Sequence, residues 1–174
     1  MINLSKGQHG AVEIRPRFPA NHISIDPHVF QLISEVQDQL PRHTRIIITR
    51  GYESAQSVVG VSRTIGRFAG SKIFKLIYPA RIAEVPEIFL PNGHDKDGRH
   101  VDLSIMENNK IIKLLPFGVF TPPRIIEKNA QLHADTIGLI EAKFRQVGAR
   151  FHSNQLERLQ MHVDFAPPVD WLEA

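Results

Sequence analysis

Two histidines and an aspartate carry the clearest chemistry in this chain. His94 opens a polar turn, His94-Asp95-Lys96-Asp97-Gly98, and Asp102 follows on the apolar run Val101-Asp102-Leu103. His162 sits in a second such run near the C-terminus, Leu159-Gln160-Met161-His162-Val163-Asp164-Phe165. Two imidazoles and one carboxylate form a three-ligand set of the kind that holds zinc and keeps a fourth position for water, the arrangement of a hydrolase. A carboxylate within an apolar strand is costly unless it is paired or metal-bound, which singles out Asp102.

Other readings stand beside this one. His94 could be a plain loop residue, with Asp102 in a structural salt bridge to Arg99 or Arg150. A calcium loop around Asp95, Asp97 and Gly98 fails on spacing, because Ser104 falls where the terminal glutamate belongs and no flanking helices are expected. His100 shares strand parity with Asp102, and Asp164 with His162, so each could steady a ligand from outside.

The elements that must position these residues can be read from periodicity. Asp26-Pro27 supplies an N-cap and first-turn proline for a helix whose stripe is Val29, Phe30, Leu32, Ile33, Val36 and Leu40, closed by Pro41. The β-branched run Arg45-Ile46-Ile47-Ile48-Thr49-Arg50 predicts a buried strand ending at Gly51. Residues 54–76 contain Gly60, Gly66 and Gly70 and predict a broken helix; 79–91 predict a loop with one short strand. Residues 101–105 and 110–115 flank a turn at Met106-Glu107-Asn108-Asn109 and predict a hairpin. A long helix capped at Asn129 and ended by Gly148 follows, with Ile137, Ile140, Phe144 and Val147 as its stripe, and strands at 149–152 and 159–165 close the chain. The order predicts an α+β fold with helices packed on a small, mainly antiparallel sheet. One domain is expected over 1–174, with an extended arm at 1–25, a core at 26–165 and a tail at 166–174.

The 174 residues suffice for a packed core, and 42% hydrophobic with 22% charged residues is ordinary for a globular domain. With no cysteine, disulfides, thiolate catalysis and cysteine zinc knuckles are excluded, so any metal rests on imidazole and oxygen. The net charge of +3 is spread without a basic run and does not point to specific nucleic-acid binding. No apolar stretch is long enough to span a bilayer, and residues 1–9 lack the apolar centre of a secretory signal. The expectation is synthesis in the cytoplasm, compatible with later release or leaderless export.

At Gly98-Arg99-His100-Val101-Asp102-Leu103-Ser104 the chain resembles the zinc D-alanyl-D-alanine carboxypeptidases and dipeptidases, whose fold is shared by the hedgehog signalling domain. There a Ser-x-His-x-x-Gly-x-Ala-Val-Asp-like motif supplies a histidine and an aspartate, and a later strand the last histidine. Ile48-Thr49-Arg50-Gly51-Tyr52-Glu53-Ser54 is similar to the Ser-Gly-Tyr-Arg-Ser element that precedes that motif. The resemblance spans residues 26–165 and implies zinc on His94, Asp102 and His162, with a peptide or peptidoglycan fragment containing D-amino acids as substrate.

Four departures qualify it. His94 and Asp102 are eight residues apart where the family's pair is seven apart, and His100 replaces the motif's alanine. Glu53 replaces the arginine that steadies the carbonyl oxygen, leaving Arg50 or Arg99 for that task. Leu159 stands where the family carries its catalytic glutamate three residues before the last histidine. Glu157 is then the first choice of proton shuttle and Glu53 the second, although Glu157 reaches the metal only if the strand begins with a bend. The rival reading is a metal-containing binding protein on the same fold that lacks a general base.

Overall fold

The computed structural model describes residues 1–89, 94 and 96–167; Gly93 and Asp95 of the ligand turn, residues 90–92 and the tail from 168 onward lie outside the described residues. Helix α1 (Pro27–Asp38) begins as its sequence requires: Asp26 accepts a hydrogen bond from the His28 amide at 2.8 Å, Pro27 fills the first turn, and Val29, Ile33 and Val36 are buried. Strand β5 (Thr44–Arg50) buries Ile46, Ile47 and Ile48. Strand β6 (His100–Glu107) turns at Asn108 and Asn109, with φ of 50° and 62°, into β7 (Lys110–Ile111). Two central residues of positive φ match the twist of the flanking strands, so the expected hairpin forms, although its second strand is two residues long where 110–115 was expected.

The main sheet runs β2 (Gly7–His9), β3 (Val12–Ile14), β5, β6, β9 (His162–Phe165), β8 (Ala149–Phe151), with β7 on the edge of β6. Only β3 and β5 pair in parallel, so the fold is α+β with a mainly antiparallel sheet. Its apolar face presents Ile46, Ile48, Val101, Leu103, Val163 and Phe165 to one hydrophobic core. Helix α5 (Ala134–Gln146) joins that core through Ile137, Ile140 and Phe144, and stops where Gly148 takes φ +81°. Burial of each such side chain contributes roughly 1.5–3 kcal/mol.

Several expectations are corrected. The first 25 residues are extended, but they are built into the fold: β1 (Ile2–Ser5) pairs with β4 (His22–Ile25), β2 and β3 enter the main sheet, and Leu4, Val12, Ile14, Ile23 and Ile25 are buried. Strands of three or four residues offer too little alternation to read. Helix α2 (Val58–Ile77) is unbroken despite its glycines, and the expected loop after it holds a 3-10 turn (Pro79–Glu84) and helix α3 (Val85–Phe89). The single long helix is two, α4 (Pro123–Leu132) and α5, and Asn129 lies inside α4 with its side chain donating to the Lys113 and Leu114 carbonyls. The last strand starts at His162, because residues 155–159 form a short helix, α6 (Gln155–Leu159), capped by Asn154.

A bulge decides which side chains share the other face of the sheet. Ile48 pairs with Leu103 but Arg50 pairs with Asp102, so Thr49 is the extra residue, and its hydroxyl donates to the Asp102 carbonyl oxygen (3.1 Å). The shift aims Arg50 to the same side as Asp102 instead of the opposite one. Across the sheet, Asp102 pairs with His162 and His100 with Asp164, so all four stand on this polar face.

Candidate metal centre

Strand register brings Asp102 and His162 together, and a separate anchor brings His94. The His94 carbonyl accepts from the Glu53 amide (2.8 Å), and its ring Nδ1 lies 2.9 Å from the Gly51 carbonyl oxygen. Gly51 has no room for a side chain, which would collide with the Ser24 carbonyl oxygen of β4. The close passage of those two segments is what places that carbonyl under His94.

The hydrogen bonds assign the protons. A carbonyl oxygen only accepts, so His94 carries its proton on Nδ1 and turns a bare Nε2 inward, 3.2 Å from Asp102 Oδ1. His162 bonds through Nε2 to Asp164 Oδ1 (3.0 Å) and turns Nδ1 to the same Asp102 Oδ1 (2.8 Å). The other oxygen of Asp102, Oδ2, is held by Arg17 Nη1 at 3.1 Å. Three ligand atoms thus converge within 4.8 Å of one another, on residues that are 2%, 4% and 1% exposed. Three lone-pair donors facing each other away from water repel unless a cation lies among them.

The protonation behaviour fits that reading. Burial, the largest influence on His162, opposes its charged form, yet the bonds from Asp102 and Asp164 outweigh it and push the ring up to about 9. Burial likewise works against ionised Asp102, but Arg17 and His162 hold it well below the usual carboxylate range. Burial lowers His94, which stays neutral. A proton on His162 thereby takes the place of a metal in this buried group. Two imidazole nitrogens and one carboxylate oxygen, each oriented by an outer partner, are a donor set that fits a metal ion.

His100 and Asp164 fall where strand parity predicted, outside the ligand set. His100 Nδ1 lies 2.6 Å from Asp164 Oδ1, and His152, unremarked in the sequence, lies 3.2 Å from Asp164 Oδ2. Asp164 is therefore a hub that orients His162 and is itself held by two further imidazoles.

A cleft of about 730 Å³ opens beside the ligands, and Arg17, Arg50, Arg63, Arg67, His94, Asp102 and Glu157 line it together. Glu157 enters from α6, where the chain folds back through Met161 at φ +55° before His162. It is 2% exposed, and burial pushes its carboxyl up to about 7. A helical turn, in place of the strand bend that the sequence seemed to demand, delivers this acid to the site; the Asn154 cap was the readable sign of it. Leu159 lies in the same helix and is buried in the core.

The remaining candidates divide. Arg50 lines the cleft but bonds to Glu53 through Nε (3.0 Å) and Nη2 (2.8 Å), and Arg63 Nε stands 3.5 Å from the same carboxylate. Glu53 is thereby committed to two guanidinium groups and is not among the residues that line the cleft. Arg99 turns away to Asp26 (3.4 Å) and does not line the cleft. Asp102 pairs with Arg17, so neither Arg99 nor Arg150 is its partner. Arg17 was hidden in the supposed arm; its amide bonds the Thr49 carbonyl (3.1 Å), which carries the β3–β5 pairing onward to the site.

No family model, curated protein or solved structure matches this chain. Its function therefore rests on the buried His94–Asp102–His162 group and the cleft beside it.

Proposed function

We propose that this protein is a zinc-dependent peptidase acting on a cell-wall-type peptide that contains D-amino acids. The observation that carries the reading is the inward aim of His94 Nε2, Asp102 Oδ1 and His162 Nδ1 beside a cleft that also holds a buried acid. Zinc suits a nitrogen-rich set better than magnesium or calcium, which take mainly oxygen ligands. When bound, zinc would supply Lewis-acid polarisation of the scissile carbonyl and acidify water.

The chain's own residues supply the rest. Glu157, poised between its neutral and charged forms at about 7, accepts a proton from the attacking water and returns it to the leaving amine. Arg50 is the cleft guanidinium placed opposite Asp102 in the sheet, and it steadies negative charge developing on the carbonyl oxygen. Arg17 fixes the Asp102 carboxylate so that a single oxygen faces the two imidazoles. Arg63 and Arg67 add positive charge to the cleft wall and favour a peptide that bears carboxylates. The peptide class follows the sequence resemblance to the D-alanyl-D-alanine peptidases.

The test is metal analysis of untagged protein combined with turnover of a panel of D-amino-acid-containing wall peptides. Zinc near one per chain and turnover that is lost in Glu157→Gln support the reading. Bound zinc with no turnover of any peptide would leave the binding-protein alternative, which the commitment of Glu53 to Arg50 and Arg63 favours.

A further inference from the structure

Helix α2 is amphipathic in the opposite sense to an ordinary surface helix. Its Ser62, Arg63, Gly66 and Arg67 line the cleft. Val58 lines it too, while the outward face carries Val61, Ile65, Phe68 and Leu76, exposed by 49%, 64%, 63% and 83%. Those positions recur at helical spacing and fall along one side. Gly60 and Phe74, near its two ends, are its buried residues, so the apolar ridge between them is not covered by the rest of the fold. The twenty residues of α2 include Arg63, Arg67, Lys72 and Lys75 and no acid. Lys72 and Lys75 are exposed, and the Lys72 ammonium sits 4.4 Å over the Phe68 ring, at the edge of the ridge.

We propose that the outward face of α2 docks on an anionic lipid bilayer, lying in the plane of the interface. The apolar ridge enters the boundary of the acyl chains, and Lys72 and Lys75 extend to lipid phosphates, their stems lying along the apolar surface. Charge decides between this and a second copy of the chain. A self-paired α2 would bring two wholly basic helices together with no acid on either to compensate, whereas an anionic bilayer offers both hydrocarbon and negative charge. Among the described residues no helix is long and apolar enough to cross a membrane, so the association is peripheral. Because Arg63 and Arg67 face inward, docking leaves the cleft-lining side of α2 free. This inference does not depend on the metal reading.

The test is co-sedimentation of the whole protein with vesicles of phosphatidylglycerol and phosphatidylcholine, against phosphatidylcholine alone, at low and high salt. Wild type is expected to pellet with the anionic vesicles at low salt, and far less with neutral vesicles or at high salt. Ile65→Glu with Phe68→Glu removes the ridge, and Lys72→Glu with Lys75→Glu removes the charge; each should lower partitioning by about tenfold or more with an unchanged circular-dichroism spectrum. The lysine pair carries the test if the ridge variant does not fold. Wild type remaining in the supernatant, or both variants pelleting like wild type, would overturn the proposal. A dimer in sedimentation velocity that the ridge variant abolishes, with no vesicle binding, would overturn it in favour of a second copy.

Discussion

Strands β6 and β9 present two faces made from alternating residues of the same short segments, and the faces obey opposite rules. Val101, Leu103, Val163 and Phe165 point to the core and are stabilised by leaving water. His100, Asp102, His162 and Asp164 point to the other side, where leaving water costs free energy that only partners can offset. The first face needs only shape and apolarity. The second is a chain of dependencies: Arg17 on Asp102, the Gly51 carbonyl on His94, Asp164 on His162, and in the middle a place that a metal ion could fill. A fold can keep such a face buried at small cost only if something positive completes it.

The sharpest way to break the comparison is to change neighbours of opposite kind. Asp102→Ala is expected to abolish stoichiometric metal binding, read by metal analysis after dialysis. Leu103→Ala should keep the metal while lowering the unfolding free energy by about 2–5 kcal/mol in urea titrations. Equal effects of the two on both readouts would mean that the faces are not separable.

Next in size is Glu157→Gln. It should lower turnover by about 10²–10⁴-fold with metal content unchanged. Smaller is Asp164→Asn, which loosens the outer hold on His162 and should weaken metal affinity by about 10–100-fold in competition with a chelating dye. Subtler still is the pH profile. In the proposed mechanism Glu157 acts when deprotonated, so kcat/KM is expected to rise with pH through its ionisation. A nearby cation favours the carboxylate, which places that limb below the value of about 7 of the metal-free protein. The limb should vanish in Glu157→Gln, and its persistence there would assign the proton transfer to another group.

The sequence showed much of this and concealed a definable part. Asp102 and His162 were legible because a charged or polar residue inside an apolar strand needs a reason, and the parity of His100 and Asp164 followed from the pleat. The α1 cap at Asp26 and the Asn108-Asn109 turn were local signals that tertiary structure did not override. Arg17 was concealed because strands of three residues carry almost no periodicity, so its segment read as an arm. Helix α6 was concealed by its length of five residues, which fits the start of a strand as easily as a helical turn. The placement of Arg50 depends on the Thr49 bulge, a register event set by the pairing with β6 and not by residues near it in sequence.

The central claim is that folding draws three donors around one cation, and it is tested most directly by anomalous diffraction at the zinc edge from crystals of protein grown with zinc. The account predicts a single peak about 2.0–2.2 Å from His94 Nε2, Asp102 Oδ1 and His162 Nδ1 together. A peak bound elsewhere, or no peak between these three side chains at full zinc loading, would contradict it.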